Sequence, residues 1–171
     1  MIPSNAVDPL AIRGAAPADV PHILAMITEL AEFEQLAHLV VADAAMLHDA
    51  MFGTRPACEC VVGEQGGELV TFALFFHNFS TFLGRRGLYL EDLYVKPHAR
   101  RRGHARAMLA HLAALALARG CGRFEWSVLD WNTNAIAVYT ALGATVMPEW
   151  RICRLAGPAL GTLAQSAAAP A

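Results

Sequence analysis

Residues 88–117 constrain the fold most. An apolar, aromatic run, LYLEDLYV, leads through a basic turn holding Pro97 and Gly103 straight into a helical pattern. The run 88–95 reads as a strand, because Leu, Tyr and Val suit a pleated, half-buried surface. It holds two adjacent carboxylates, Glu91 and Asp92, which strand alternation sends to opposite faces. Beyond the turn, Ala105, Met108, Leu109, Leu112 and Ala116 recur at the spacing of one helix face. The turn itself carries Arg100, Arg101, Arg102, Gly103, His104, Ala105 and Arg106. Arginines and a glycine at a helix start make an anion site: the first amides are unpaired, the helix dipole favours negative charge, and glycine lets a phosphate approach the backbone. Two familiar phosphate loops are excluded by spacing. No Gly-x-x-x-x-Gly-Lys-Ser/Thr occurs, and no Gly-x-Gly-x-x-Gly follows a strand.

Length sets the next bound. The 171 residues suffice for one domain with a proper core and are too few for two comfortable ones. An apolar share of 56% against 16% charged residues describes a globular chain with a large buried fraction. The net charge of -2 argues against a nucleic-acid partner, and the arginine run lacks the interleaved aromatics of an RNA-binding surface. No apolar stretch reaches the roughly 18 residues of a membrane span. The N-terminus lacks the basic and apolar regions of a signal peptide, so no membrane contact and a cytoplasmic location are expected. Cys58, Cys60, Cys121 and Cys153 form no C-x-x-C pair and no metal-ligand spacing, so no metal is expected either.

In chain order, residues 1–8 read as a loose leader and 10–13 as a short strand. Pro17 opens a helix running to Glu32, with Ile23, Leu24, Ile27, Leu30 and Ala31 as its apolar stripe. Asp43 is placed to cap a second helix ending near Phe52. Strands follow over 58–63 and 68–78, joined by a turn at Gln65-Gly66-Gly67, with a loop over 80–87. After the central strand and helix come a strand over 123–129, a helix over 134–142 stopped by Gly143, and strands over 145–147 and 150–155. The Ala/Gly/Pro-rich tail, 157–171, has too little apolar bulk to pack and is expected to be disordered. One mixed α/β domain over 9–156 is the result.

In that setting, Arg100-x-x-Gly103-x-Ala105 resembles the Gln/Arg-x-x-Gly-x-Gly/Ala pyrophosphate loop of the GNAT (GCN-five-related) N-acetyltransferases, which bind acetyl-coenzyme A. The element order over residues 10–155 resembles that family as well. Further stretches are similar to its diamine (spermidine/spermine) acetyltransferase branch. They are Glu29-Leu30-Ala31-Glu32-Phe33-Glu34, the run 88–95, Asp130-Trp131-Asn132 with Ala135, Ile136 and Tyr139, Leu142-Gly143-Ala144, and Glu149-Trp150-Arg151. The resemblance implies a central, mostly antiparallel sheet of about six to seven strands flanked by helices, within the usual size of sheets. It implies acetyl-CoA as co-substrate and a small primary amine, a diamine or polyamine, as acceptor. Direct attack in a ternary complex and a homodimer paired through the last strands follow from it too.

Acyl transfer from a thioester needs a neutral amine, yet an alkyl ammonium has a pKa of about 10.4. A base must take that proton, directly or through water. An acid inside an apolar strand needs a reason. The resemblance gives Glu91 the role of base, and pairing with a neighbouring cation is the other reading. Asp92 has two readings as well, a substrate contact or a loop anchor. The oxyanion of the thioester needs preorganised donors. By resemblance the Leu93 amide supplies one, and the backbone of Leu93, Tyr94 and Val95 bonds the pantetheine arm.

The resemblance also sets the pyrophosphate on residues 100–106 and gives Asn132 a bond to the coenzyme, where a plain helix cap competes. It makes Tyr139 the acid that protonates the departing thiolate, although its spacing from Ile136 and Leu142 also fits a core tyrosine. Glu34 matches an acidic substrate contact of the branch. Phe33 stands where the branch has a tyrosine, and so lacks that hydroxyl. Glu125, Trp126, Ser127, Glu149 and Trp150 line the substrate channel or are ordinary surface acids and core aromatics. His77 is the one histidine that suits a substitute base. Two rival readings remain: a GNAT acting on an amino-acid amine (thialysine or lysine-like) or a protein N-terminus, and a non-catalytic CoA-binding or interaction protein. Retention of Glu91, Gly103 and Tyr139 together weighs against the second.

Overall fold

The first strand, β1 (Ala11–Gly14), runs into a chain reversal tied by one carboxylate. Asp19 accepts from the Ala16 amide at 2.7 Å and from the Arg13 guanidinium at 2.6 and 3.0 Å. The helix α1 (Val20–Phe33) follows, burying Val20, Ile23 and Met26. The computed structural model describes residues 8–167, so residues 1–7 of the expected leader and 168–171 of the expected tail lie outside the described residues. In α2 (Ala44–Phe52) the Asp43 side chain accepts from the Met46 amide at 2.8 Å, the cap that its position implies.

Strands β2 (Glu59–Gln65) and β3 (Glu68–Ser80) form a hairpin whose turn places Gly66 and Gly67 at φ 59° and 80°, values that two glycines adopt without strain. β4 (Arg85–Val95) pairs with β3, and α3 (His104–Ala118) crosses over to β5 (Phe124–Trp126), which lies parallel to β4. The sheet order is β1-β2-β3-β4-β5, antiparallel except for the last pair. A parallel neighbour requires such a crossover.

One face of the sheet carries Cys60, Val62, Phe72, Leu74 and Tyr94, packed against Val20, Ile23 and Met26 of α1 and Met51 of α2. Alternation puts Ala73, Phe75, Leu88 and Leu90 on the other face, buried with Met108, Leu109, Leu112 and Ala116 of α3. Each large side chain so buried is worth about 1.5–3 kcal/mol.

The chain divides after Ser127 into two compact units. The first holds the sheet and α1 to α3. The second holds α4 (Thr133–Ala141) and α5 (Gly157–Ser166). The fold is mixed α/β as expected, with five strands among the described residues in place of six to seven. Strand β5 spans three residues rather than 123–129, and residues 145–147 and 150–155 form no strand. A turn at Pro148 and Glu149, closed by Trp150 N–H donating to Met147 O, joins two runs too short to hold as an isolated hairpin. The loop expected over 80–87 narrows to a turn over 81–84, because Ser80 pairs with Arg85 and Phe79 with Arg86. Within the expected tail, Pro158 in the first turn and the Ala and Leu residues that follow favour the helix α5.

Candidate active site

The site starts from an irregularity in β4. Leu74 stands opposite Asp92 and Phe75 opposite Leu90, so Glu91 is an extra residue without a partner on β3. Such a bulge bends the strand and breaks simple alternation. Asp92 therefore shares the α1 face with Leu74, and Tyr89 shares it with Phe76. On the other side of β4, pairing with β5 ends at Leu90 and Trp126. From 91 to 95 that edge has no strand beside it among the described residues, and within this stretch the Tyr94 and Val95 carbonyls accept from Thr71 Oγ1 and Arg100 Nε.

Around the bulge, Asp92 lies within electrostatic reach of two further acids, Glu91 and Glu34. Glu91 is exposed and Asp92 half-buried, while Glu34 caps the C-terminus of α1 ahead of Gln35 at φ 62°. Burial pushes the Asp92 carboxyl up to about 6, with the negative charges of Glu91 and Glu34 adding to the effect. Burial also raises Glu34. Further along the same face, Asn78 Nδ2 donates to Glu125 Oε2 at 3.0 Å, and Arg123 Nε lies 2.8 Å from that oxygen. The Tyr89 hydroxyl and Ser127 Oγ are 2.8 Å apart, and the Tyr89 ring packs on Phe76.

The basic turn is held from two sides. Arg102 Nη1 donates to Gln65 Oε1 at 3.3 Å, and His104 Nε2 lies 3.2 Å from the same oxygen. A cleft of about 520 Å³ lies here, lined by Leu10, Gln65, Arg102, Gly103, His104 and Ala107. His104 is buried, which lowers its pKa, with the Arg102 charge adding to this. Arg100 points the other way. Its Nε donates to Val95 O at 2.9 Å, and its guanidinium lies over the rings of Phe33 and Tyr94, 5.3 and 5.5 Å from their centres.

At the start of α3, Gly103 is in the left-handed region at φ 82°, and a Cβ placed on it would meet nothing within 4 Å. The space before the first-turn amides is thus open, and no side chain of Gly103 caps them. Among the described residues, Arg101 and Arg106 have no carboxylate partner in an ion pair. Open amides and uncommitted cations fit a pyrophosphate.

The family model for the acetyltransferase (GNAT) family matches residues 24–144, a span that crosses the boundary between the two units. The chain belongs to this family. It is an acetyl-CoA-dependent N-acetyltransferase. The thialysine N-epsilon-acetyltransferase of Sus scrofa is 38% identical to this GNAT chain, over 90% of this chain and 96% of that protein. An L-ornithine N5-acetyltransferase of Arabidopsis thaliana is 34% identical, covering 87% and 85%. An integron cassette protein of V. cholerae shares the fold with a TM-score of 0.77 at 21% identity, covering 91% of this chain and 98% of that one.

Within the GNAT fold, the structure gathers Glu34, Glu91 and Asp92, with Phe33 beside them on α1, and sets Leu93, Tyr94 and Val95 along the open edge of β4. Tyr94 is an exception in its side chain, which is buried in the core. Glu125 is committed to Arg123 and Asn78, Ser127 to Tyr89, and the Trp126 ring packs on Phe124. His77 is not with the acids. It lies on the α3 face, its Nε2 3.5 Å from Arg119, which also grips Glu59 at 2.7 Å. In the second unit, Asn132 Oδ1 accepts from the Ala135 amide at 3.3 Å, the plain helix cap, while Tyr139 stands in α4 and Glu149 in the turn after it. Gln65, Asn78 and Arg123 escaped the sequence reading. Their partners lie 37 or more residues away for Gln65 and 47 for Asn78, beyond any spacing rule, whereas Arg123 pairs with Glu125 two residues on, a same-face strand spacing that could have found it.

Proposed function

We propose that this acetyltransferase acts on a small primary amine that carries a second cationic nitrogen, a diamine or polyamine. The cluster of Glu34, Glu91 and Asp92 carries the reading. Three carboxylates crowded at one place repel one another, and a dication relieves that repulsion while gaining the attraction. Acetyl-CoA supplies the acetyl group as a thioester. The backbone amides and guanidinium groups of residues 101–106 hold its pyrophosphate, and the open edge of Leu93, Tyr94 and Val95 bonds the pantetheine arm.

Glu91 takes the ammonium proton through water, as its exposure allows, and the freed lone pair attacks the thioester carbonyl. The Leu93 amide donates to the oxyanion. Tyr139 gives its proton to the departing thiolate, and Asn132 bonds the coenzyme beyond its role as a cap. Phe33, Trp126 and Ser127 shape the channel, with Glu125 fixed in place by Asn78 and Arg123. The working form is a cytoplasmic homodimer.

A second reading has support in the relatives, whose names give thialysine and ornithine as substrates. Both are amino acids with a second ammonium, so the acid cluster suits them, and the difference lies in a carboxylate. The test is a carboxyl carbon-13 titration of Asp92. The expected midpoint is about 6 in the free protein, moving down when a diamine is added and staying in place with a monoamine. A midpoint in the ordinary carboxylate range near ~3.9, or one indifferent to diamine, overturns the reading.

A further inference from the structure

Three arginines stand in the turn before α3 and a fourth, Arg106, in the first turn of that helix, and their side chains do different work. Arg101 and Arg106 are exposed, and Arg102 leans on Gln65. Arg100 is exposed too, but its guanidinium reaches back over the surface to the ends of α1 and β4. Its Nε bonds the carbonyl of Val95, the last residue of β4, and its planar guanidinium lies over both Phe33 and Tyr94. Phe33 is the last residue of α1, and Glu34 is the cap that follows it. The end of α1 and the end of β4 are therefore joined through one side chain. The geometry points to Arg100 as a positioning residue that fixes the acid cluster for the incoming amine, rather than a ligand of the coenzyme phosphates. This inference rests on the amine acetyltransferase reading above.

The physical case is one of shape. A guanidinium is flat, stacks on aromatic faces and directs Nε–H along a fixed line, whereas an ammonium is a compact point charge. Lysine at position 100 keeps the positive charge near the loop and loses both the stack and the directed bond. If Arg100 served a phosphate, charge would matter most. If it positions α1 against β4, shape matters most, and the effect falls on the amine.

The experiment compares Arg100→Lys with Arg101→Ala, reading the coenzyme A dissociation constant by calorimetry and the KM and kcat for a diamine. Arg100→Lys is expected to change the coenzyme A constant by less than about twofold and to raise the diamine KM about tenfold. Arg101→Ala is expected to do the reverse, weakening coenzyme A at least about fivefold with the diamine KM unchanged. Phe33→Leu removes one side of the stack and should match the Arg100→Lys signature, with the double variant no worse than either alone. It also carries the test if Arg100→Lys does not fold.

Arg100→Lys weakening coenzyme A as much as Arg101→Ala, with the diamine KM unmoved, would overturn the inference and make Arg100 a phosphate ligand. Wild-type values for Arg100→Lys, or additive effects in the double variant, overturn it too. A wild-type protein that binds coenzyme A and acetylates no amine brings down the reading beneath it, a separate result from any of these.

Discussion

Gly103 shows how much one residue's backbone decides. At φ 82° a β-branched side chain is strained by about 1–2 kcal/mol, and it would occupy the space open before the α3 amides. Gly103→Val should fold with a modest loss of stability and bind coenzyme A at least tenfold more weakly, on the order of 1.4 kcal/mol. Unchanged affinity in a folded variant, by calorimetry, would remove the loop from the coenzyme site. Asp92 makes a second case at this scale. Its folded pKa lies above the unfolded value, so the folded state binds the extra proton between the two. Its contribution to stability is then greatest at low pH and falls as pH rises from about 4 to about 6. Asp92→Asn should gain on the order of 1 kcal/mol at pH 7 in urea unfolding, and no gain near pH 4. A variant that is less stable at pH 7 contradicts the crowded-acid picture. Tyr139→Phe should lower kcat far more than coenzyme A affinity, since the hydroxyl matters once thiolate character develops. Equal kcat in the two proteins would exclude Tyr139 as the acid. The place of Gly103 at the start of α3 was legible because its motif is local in sequence. The side chain of Arg100 was not, because the motif describes a loop and says nothing of Phe33, 67 positions earlier in the numbering.

Among the elements, β4 carries the most. Simple alternation assigns Glu91 and Asp92 to opposite faces, but the register slip at Leu74 and Phe75 makes Glu91 an unpaired bulge instead. A bulge depends on how two strands meet, so composition within one strand does not disclose it. The helices were legible by contrast, since Asp43, Pro17 and the apolar stripe of α1 are local signals. The two closing strands were not confirmed: a propensity for strand becomes a strand only with a neighbour to pair with. At the far end of β4, Gly87 sits against the Asn78 side chain, where a Cβ would collide with Asn78 Oδ1 and press on Arg123 at 3.0 Å. Both of those residues hold Glu125. Gly87→Ala should therefore cost about 1–3 kcal/mol in urea unfolding, the usual range for overpacking. No loss would mean that the Asn78–Glu125–Arg123 arrangement yields freely.

At the scale of the whole molecule, family membership was legible because the pyrophosphate loop, the strand before it and the helix after it are contiguous, and the family model then covers residues 24–144. The proposed homodimer is checked by sedimentation at micromolar concentration, where a single dimeric species is expected and a monomer alone contradicts it. The central claim is acetyl transfer to an amine chosen by its second charge, and one measurement addresses it most directly. Thiol release from acetyl-CoA is followed with a diamine, an amino-acid diamine and a monoamine of equal length, at low and high salt, for the wild type and Glu34→Gln. Partly exposed charge pairs are worth little each, so the diamine should lead the monoamine by roughly tenfold in kcat/KM, about 1.4 kcal/mol. That lead should shrink with salt and erode in Glu34→Gln, with the monoamine hardly changed. Equal rates for diamine and monoamine, or a Glu34→Gln variant that slows both alike, would contradict it.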